Sequence, residues 1–128
     1  MTVADRFRSH PRRVEKPWGW ELVWAETDAY VGKLLFVRAG HALSLQLHEV
    51  KDESWLVREG RALLELGERD GGLEAVEIGP GDAFRFPPGT VHRVTALEDT
   101  LVLEVSTPHL DDVVRLEDRY GREGTSAP

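Results

Sequence analysis

The sequence predicts a single all-β domain, either a sandwich or a barrel. Short runs of alternating apolar and polar residues recur about every 8–12 residues, which is the spacing expected for such folds. Turn-forming pairs separate the runs: Asp70-Gly71 suits a hairpin turn, and Pro80-Gly81 and Pro88-Gly89 fit type II turns. The chain has 128 residues, enough for one sizeable core and too few for two domains.

Nine strands are predicted in chain order: Glu21–Ala25, Lys33–Arg38, Leu43–His48, Glu53–Arg58, Arg61–Leu66, Leu73–Ile78, Ala83–Phe86, Val91–Ala96 and Leu101–Ser106. The one segment with helical periodicity, Leu110–Arg119, is weakly periodic. We expect residues 14–122 to form the domain and residues 123–128 to be a flexible tail.

The first thirteen residues are basic and carry little apolar content. They contain four arginines, so we expect residues 1–13 to be a flexible, solvated basic arm, with a phosphate-binding arm as the alternative. This segment has no apolar region of the signal-peptide type, and no stretch approaches the ~20 apolar residues of a membrane span. We therefore expect a cytoplasmic protein.

Composition narrows the possible partners and chemistry. Apolar residues make up 41% of the chain and charged residues 30%, which is ordinary for a globular protein. The formal net charge of −7 argues against a nucleic-acid or membrane partner. Because the chain has no cysteine, it has no disulfide, thiolate metal site or cysteine nucleophile.

The predicted strand Leu43–His48 carries unusual polar residues on one face. Its three leucines point to one side, whereas Ser44, Gln46 and His48 point to the other, since successive strand side chains alternate. Taken alone, this pattern is typical of a half-buried strand whose polar face is hydrated.

Two spaced frames make these polar residues candidate metal ligands. The first runs from Gly40 to Gly60 and contains Gln46, His48 and Glu53; the second begins at Gly81 and ends at His92. Gln46 and His48 share a strand face, Glu53 can return to that face across a short turn, and His92 opens another strand. Imidazole, carboxylate and amide donors suit a divalent cation, with zinc as the first choice and manganese, iron or nickel as alternatives.

The two frames resemble the paired motifs of the cupin superfamily, in which three histidines and a glutamate bind the metal. Gln46 replaces the first motif histidine, and Ala96 stands where an asparagine often closes the second motif. The pattern L-S-L-Q-x-H-x-x-x-x-E-x-W is similar to the cupin domain of phosphomannose isomerases. That group includes the C-terminal domain of bifunctional mannose-1-phosphate guanylyltransferase/mannose-6-phosphate isomerase proteins.

The resemblance extends from Val14 to Arg122. Lys16–Gly19 is similar to the P-W-G entry segment of that family, Leu110–Arg115 to its D-D-I-V-R segment, and Asp118–Arg122 to its D-x-Y-G-R ending. The resemblance implies an all-β cupin barrel, which is a double-stranded β-helix or jelly roll. A guanylyltransferase domain is not part of this sequence, so transferase activity is not expected of it.

The function that the resemblance implies is metal-dependent isomerisation of an aldose or ketose sugar phosphate, as between mannose 6-phosphate and fructose 6-phosphate. Arg122 and Lys33 are then candidates for substrate binding, with solvated surface charges as the alternative. Trp55 could line the sugar pocket or pack in the core. Lys33 and Glu104 are candidates for the proton-transfer residue.

Two other functions are compatible with the same motifs. A non-catalytic carbohydrate-binding or regulatory cupin would keep the barrel without a proton shuttle. A cupin oxygenase ranks lower because Gln46 replaces an imidazole around the metal. We also expect a homodimer, because the aromatic segment Trp18–Trp24 should lie at a sheet margin, where unpaired strands favour association.

Overall fold

The computed structural model describes residues 1–127, which form two antiparallel sheets packed face to face. Its elements in chain order are α1 Val3–Phe7, β1 Arg12–Lys16, β2 Gly19–Glu26, β3 Val31–Val37, β4 Leu45–Leu47, β5 Glu53–Glu59, β6 Ala62–Glu68, β7 Glu74–Ile78, β8 Ala83–Phe86, β9 Thr90–Ala96, β10 Thr100–Ser106 and β11 Val114–Glu117. One sheet has six strands in the order β1-β2-β3-β10-β5-β8, and the other has five in the order β11-β4-β9-β6-β7. No helix in this part of the chain is long and apolar enough to cross a membrane.

The alternation in the sequence decides which side chains enter the space between the sheets. One face of each central strand is apolar, and these faces meet in a core of thirteen buried residues: Trp18, Leu35, Val37, Leu43, Trp55, Val57, Ala62, Leu64, Ile78, Phe86, Val94, Ala96 and Val102. The interior also holds buried charged and imidazole side chains, namely Lys33, His48, Lys51, Glu53, His92, Glu104, Arg115 and Arg122. The barrel is therefore filled partly by an apolar core and partly by a polar cluster.

All nine predicted strands are present as β2 to β10, with ends that differ by a few residues. The weak helical periodicity of Leu110–Arg119 does not correspond to a helix, because this segment contains β11, which pairs with β4. β11 is a short edge strand whose alternation covers only four residues, so its pattern was too brief to be distinguished from a helical one.

The predicted domain boundaries do not coincide with the ends of the secondary structure. β1 begins at Arg12, inside the predicted basic arm, and pairs with β2 from Arg12 to Lys16. Beyond residue 122, the Gly124 backbone N–H donates to the carbonyl of Arg115 at 3.3 Å. Both ends of the chain thus contact the barrel beyond the expected limits of the domain.

The outer face of the six-stranded sheet is largely apolar. Trp20 stacks on Phe36 with ring centroids 5.3 Å apart, and further along this face Trp24 and Val105 are 46% and 56% exposed. The aromatic segment Trp18–Trp24 does not lie at a sheet margin as predicted, because β2 pairs with both β1 and β3 and Trp18 is buried in the core. The homodimer itself remains a prediction, with this outer face available for contact.

Candidate metal centre and adjoining cavity

His48, Glu53 and His92 converge inside the barrel. His48 follows β4, Glu53 begins β5, and His92 lies on β9. One donor atom from each residue lies within 4.8 Å of the other two. The Oε1 atom of Glu53 is 3.4 Å from Nε2 of His48 and 3.0 Å from Nε2 of His92, and all three side chains are buried. Three of the four residues that the sequence frames predicted as ligands therefore meet at one point.

The three converging atoms have no hydrogen-bond partner among residues 1–127. They are Nε2 of His48, Nε2 of His92 and Oε1 of Glu53. The other ring nitrogen of each histidine contacts a backbone carbonyl, that of Asp112 for His48 and that of Thr90 for His92. Since carbonyls only accept, each Nδ1 is assigned the proton and each Nε2 keeps a free lone pair.

This donor set fits a divalent cation. Leaving a buried polar atom without a partner costs about 1–3 kcal/mol, and here three such atoms face one another. Histidine ligands are ordinarily fixed by a hydrogen bond from the second ring nitrogen, which is the arrangement found at both His48 and His92. Two imidazoles and a carboxylate suit zinc, iron, nickel or manganese.

Gln46 lies beside the three donors. Its Cα is directly opposite that of His92 in the β4–β9 pair, so both side chains point to the same face of the sheet. The Oε1 atom of Gln46 accepts a hydrogen bond from the Ser44 hydroxyl at 2.6 Å. An amide oxygen has two lone pairs, so one remains for a further contact. Its role as a fourth ligand remains a prediction.

A turn fixes the loop that leads into His92. The Pro88-Gly89 pair forms the predicted turn, closed by the Thr90 N–H donating to the Pro87 carbonyl at 3.1 Å. Gly89 has a φ of +85°, a conformation that glycine adopts without strain. Its N–H donates to the carbonyl of His48 at 2.7 Å, which ties the start of β9 to the end of β4.

Asp112 holds the loop after His48, a role the sequence did not reveal. Its carboxylate accepts three backbone N–H bonds, at 2.8–3.0 Å, from Glu49, Val50 and Lys51. Partial burial would raise the pKa of Asp112, but these bonds outweigh that effect and hold the pKa below its usual value. The backbone carbonyl of the same residue contacts His48, so Asp112 positions both a candidate ligand and the chain that follows it.

A buried charge network lies behind the candidate ligands. The Nζ atom of Lys51 is 2.8 Å from Oε2 of Glu53 and 3.3 Å from Oε2 of Glu104. Burial alone would lower the pKa of Lys51, but the two carboxylates oppose it more strongly and raise that pKa above its usual range. Burial alone would raise the pKa of Glu53, but the Lys51 ammonium beside its carboxylate acts in the opposite direction. Lys51 was not among the predicted site residues.

A cavity of about 270 Å³ adjoins the candidate metal centre. Gln46, His48 and Lys51 border it on the side of the candidate metal ligands. Much of the remaining polar lining is cationic and includes Lys16, Lys33, Arg115 and Arg122, with Glu21 among them. An acidic protein therefore presents a basic wall to this cavity.

Two of the predicted substrate-binding residues, Arg122 and Lys33, border the cavity. Arg122 borders the cavity, but Asp118 accepts from its Nε at 2.8 Å and its Nη2 at 2.9 Å. Lys33 also borders the cavity, and its Nζ is 3.2 Å from Oε1 of Glu21 and 3.6 Å from Oε2 of Glu104. Both cations are therefore balanced by carboxylates of the chain.

The structure places Trp55 in the core instead of the cavity wall. It is 3% exposed, meets Phe86 edge to face, and donates from Nε1 to Oε1 of Glu104 at 2.9 Å. Glu104 is likewise not a cavity-lining residue, because it lies behind Lys33 and Lys51. Trp55 faces inward as alternation predicted, but the apolar core occupies that part of the interior.

Lys16, Glu21 and Arg115 line the cavity but were not predicted as site residues. Lys16 and Arg115 do lie in segments quoted for the family resemblance, at the start of K-P-W-G and the end of D-D-V-V-R. Their strands, β1 and β11, were not predicted, so nothing indicated that their side chains face inward.

A jelly roll of two antiparallel sheets with a His/Glu/His donor set inside it defines the class of protein as a cupin. Residues 4–118 match the family described as mannose-6-phosphate isomerase C-terminal. The chain belongs to this family, and it is a cupin domain of the phosphomannose isomerase type.

Similar proteins agree with this assignment. A mannose-1-phosphate guanylyltransferase of Escherichia coli K12 is 33% identical over 116 residues, which are 87% of this chain and 23% of the relative. The chain thus spans about a quarter of the length of the curated relatives it matches. Among solved structures, the capsular polysaccharide assembling protein CapF of Staphylococcus aureus has a TM-score of 0.73 at 17% identity, covering 90% of this chain and 34% of that one. Bacillus subtilis oxalate decarboxylase has a TM-score of 0.70 at 20% identity, covering 81% of this chain and 29% of that one. At these identities the two structures show the fold alone.

Proposed function

We propose that this domain is a metal-dependent aldose/ketose isomerase that acts on a small sugar phosphate of the mannose 6-phosphate type. The observation that carries the proposal is one cavity bordered by Gln46 and His48 of the candidate metal centre on one side and by a cationic wall on another. The first can bind a metal, and the second can bind an anionic substrate. Membership of the mannose-6-phosphate isomerase C-terminal family supports the same substrate class.

His48, Glu53 and His92, with the amide oxygen of Gln46, would hold the metal. Zinc is our first choice for this donor set, with manganese, iron and nickel as alternatives. The fold neighbour oxalate decarboxylase has Mn(II) centres, so manganese is the first alternative to test. When bound, such an ion supplies Lewis acidity that polarises a sugar carbonyl and stabilises the negative charge that develops on its oxygen.

The chain itself must move a proton between C1 and C2 of the sugar. Glu21 borders the cavity with a side chain that is 14% exposed, and its Oε1 is 3.2 Å from Nζ of Lys33. We assign proton transfer to Glu21, because a carboxylate on the cavity wall can reach a substrate carbon. Lys33 holds that carboxylate in place and remains the alternative proton carrier.

Glu104 acts through the lysines in this scheme. It contacts Lys33 and Lys51 from behind and receives the indole N–H of Trp55, so it is a positioning residue. Lys51, held by Glu53 and Glu104, presents an ammonium group beside the metal donors. Such a group can donate to the oxygens of the enediol that forms as the proton leaves.

The test is turnover by the purified chain, stripped of metal and reloaded with zinc or manganese. Incubation with mannose 6-phosphate and other aldose and ketose phosphates in D₂O, followed by NMR, reports product formation and deuterium incorporation at C2. We expect turnover in the loaded protein alone. Glu21→Gln should reduce it by about 10²–10⁴-fold at unchanged metal content. Glu98→Gln, at an exposed position, is the matched control.

Full metal loading without turnover of any sugar phosphate would contradict the isomerase proposal. A carbohydrate-binding cupin without catalysis would then be the better description, provided that sugar phosphate still binds.

A further inference from the structure

Arg115, Gln46 and His92 form one row across the five-stranded sheet. Arg115 on β11 is the direct partner of Gln46 on β4, and Gln46 is the direct partner of His92 on β9. Direct partners in antiparallel pairs carry their side chains on the same face, so all three point into the barrel. Neighbouring strands are about 4.8 Å apart, which places Arg115 roughly 10 Å from His92 along this row.

Arg115 is a buried cation without a carboxylate partner among residues 1–127. It is 8% exposed, its Nη1 donates to the Thr125 carbonyl at 2.8 Å, and its buried Nε has no partner in this part of the chain. The contrast with Arg122 is direct, since Asp118 binds Arg122 through both carboxylate oxygens. A buried guanidinium with an unused donor is costly, and an anion in the cavity would satisfy it.

Lys16 brings a second unbalanced charge to the same wall. It lies at the end of β1, is half-buried, borders the cavity and forms no ion pair within residues 1–127. Burial lowers its pKa, and Arg115 and Arg122 lower it further, while Glu21 acts in the opposite direction. Burial and Arg122 likewise lower the pKa of Arg115, while Asp118 and Glu21 act in the opposite direction. These cations are thus close enough to repel one another, and a bound anion would relieve that repulsion.

We propose that Lys16 and Arg115 form the subsite that binds the phosphate group of a sugar phosphate. This inference rests on the proposed substrate class but not on catalysis. Arg115 offers its free Nε–H, Lys16 a compact ammonium group, and a phosphomonoester dianion matches the two charges. With the phosphate held at this end of the row, the reactive end of the sugar extends past Gln46 toward His92. The subsite thereby selects a sugar whose phosphate is remote from its carbonyl.

The test measures binding instead of turnover. NMR titration of the zinc-loaded, ¹⁵N-labelled chain gives dissociation constants for inorganic phosphate, mannose 6-phosphate and unphosphorylated mannose. Lys16→Met and Arg115→Met should each weaken binding of inorganic phosphate and mannose 6-phosphate by about 10–100-fold, since each removes a charge-assisted hydrogen bond. Both should leave mannose affinity within about 2-fold and zinc content unchanged. Arg58→Met, at an exposed arginine on β5, is the matched control and should change none of these values.

Several outcomes would overturn the subsite. Unchanged phosphate affinity in both variants means that phosphate binds elsewhere, including at the zinc. Tighter binding of mannuronate than of mannose 6-phosphate would show that Lys16 and Arg115 bind the carboxylate of a sugar acid instead of a phosphate. If Arg115→Met does not fold, Lys16→Met and Arg115→Lys complete the test, and Arg115→Lys should lose less affinity than Lys16→Met. If the wild-type protein binds phosphate but turns over no sugar phosphate, the proposed function is rejected and the subsite stands. If both variants keep wild-type turnover and phosphate affinity, the subsite is rejected and the proposed function stands.

Discussion

The two walls of the cavity are built on different principles. On the side of the candidate metal ligands, His48, Glu53 and His92 lie on or beside interior strands, and each is held from behind by a backbone carbonyl or by Lys51. On the basic side, Lys16 and Arg115 come from the edge strands β1 and β11 and form no direct ion pair within residues 1–127, although Glu21 and Asp118 lie near enough to attract them. The first wall balances its charges internally, while the second leaves positive charge for a ligand. Burial of charge alone therefore does not identify the substrate site; the presence or absence of a partner does.

The largest difference between the walls should appear when the same substitution is made at two lysines. Lys51→Met leaves Glu53 and Glu104 buried without their shared cation, so we expect a loss of about 3–5 kcal/mol in the free energy of unfolding. Burial disfavours the charge of Lys16 and Glu21 offsets this only in part, so for Lys16→Met stability should stay within about 0.5 kcal/mol of wild type. Urea denaturation of the metal-free proteins measures both values. Equal destabilisation by the two substitutions would show that the walls do not differ in charge balance.

Substitution of a candidate metal ligand should abolish metal binding and the stability that the metal adds. His92→Ala removes a buried donor, so we expect the metal content of purified protein to fall to background. A metal at ~100 times its dissociation constant stabilises the folded state by about 2.7 kcal/mol, so the rise in Tm on adding zinc, on the order of 10 °C, should disappear. Elemental analysis and thermal melts measure these effects, with the exposed His109→Ala as the matched control. Full metal content in His92→Ala would refute the ligand assignment.

Substitution of Asp112 tests whether the candidate metal ligands depend on the loop that Asp112 holds in place. Asp112→Ala leaves three backbone N–H groups without their acceptor, so we expect a loss of about 1–3 kcal/mol in the free energy of unfolding. Metal affinity should fall by about 10-fold because the loop that carries His48 is loosened. Phosphate affinity at the opposite wall should change less. Asp70→Ala, at an exposed aspartate away from the cavity, is the control, and metal titration in a competing chelator gives the affinities.

The same contrast explains how far the sequence could predict the site. His48, Glu53 and His92 lie in or beside strands with clear alternation, and turn residues fix their spacing, so the two sequence frames predicted that they come together. Arg115 faces the cavity because β11 pairs with β4, a contact between segments about seventy residues apart that no local pattern encodes. Lys51 and Asp112 lie in loops, where alternation gives no direction. Trp55 was placed on the correct face, but alternation does not say whether an inward side chain meets the core or the cavity.

The smallest expected effect concerns the outer surface of the six-stranded sheet, whose inner surface carries Lys33 and Glu104. Val105 is 56% exposed on that outer surface, next to Gly32 and Ser54 in the sheet register. If a second copy covers this surface, Val105→Glu should weaken association at least ~10-fold, because it places a charge in an apolar contact. Light scattering at micromolar concentration measures the effect, with Val76→Glu on β7 of the other sheet as the control. The inner face of β10 should be unaffected, so metal content and phosphate affinity should remain as in wild type. A wild-type protein that is monomeric under these conditions would contradict the homodimer, while the metal and phosphate assignments would stand.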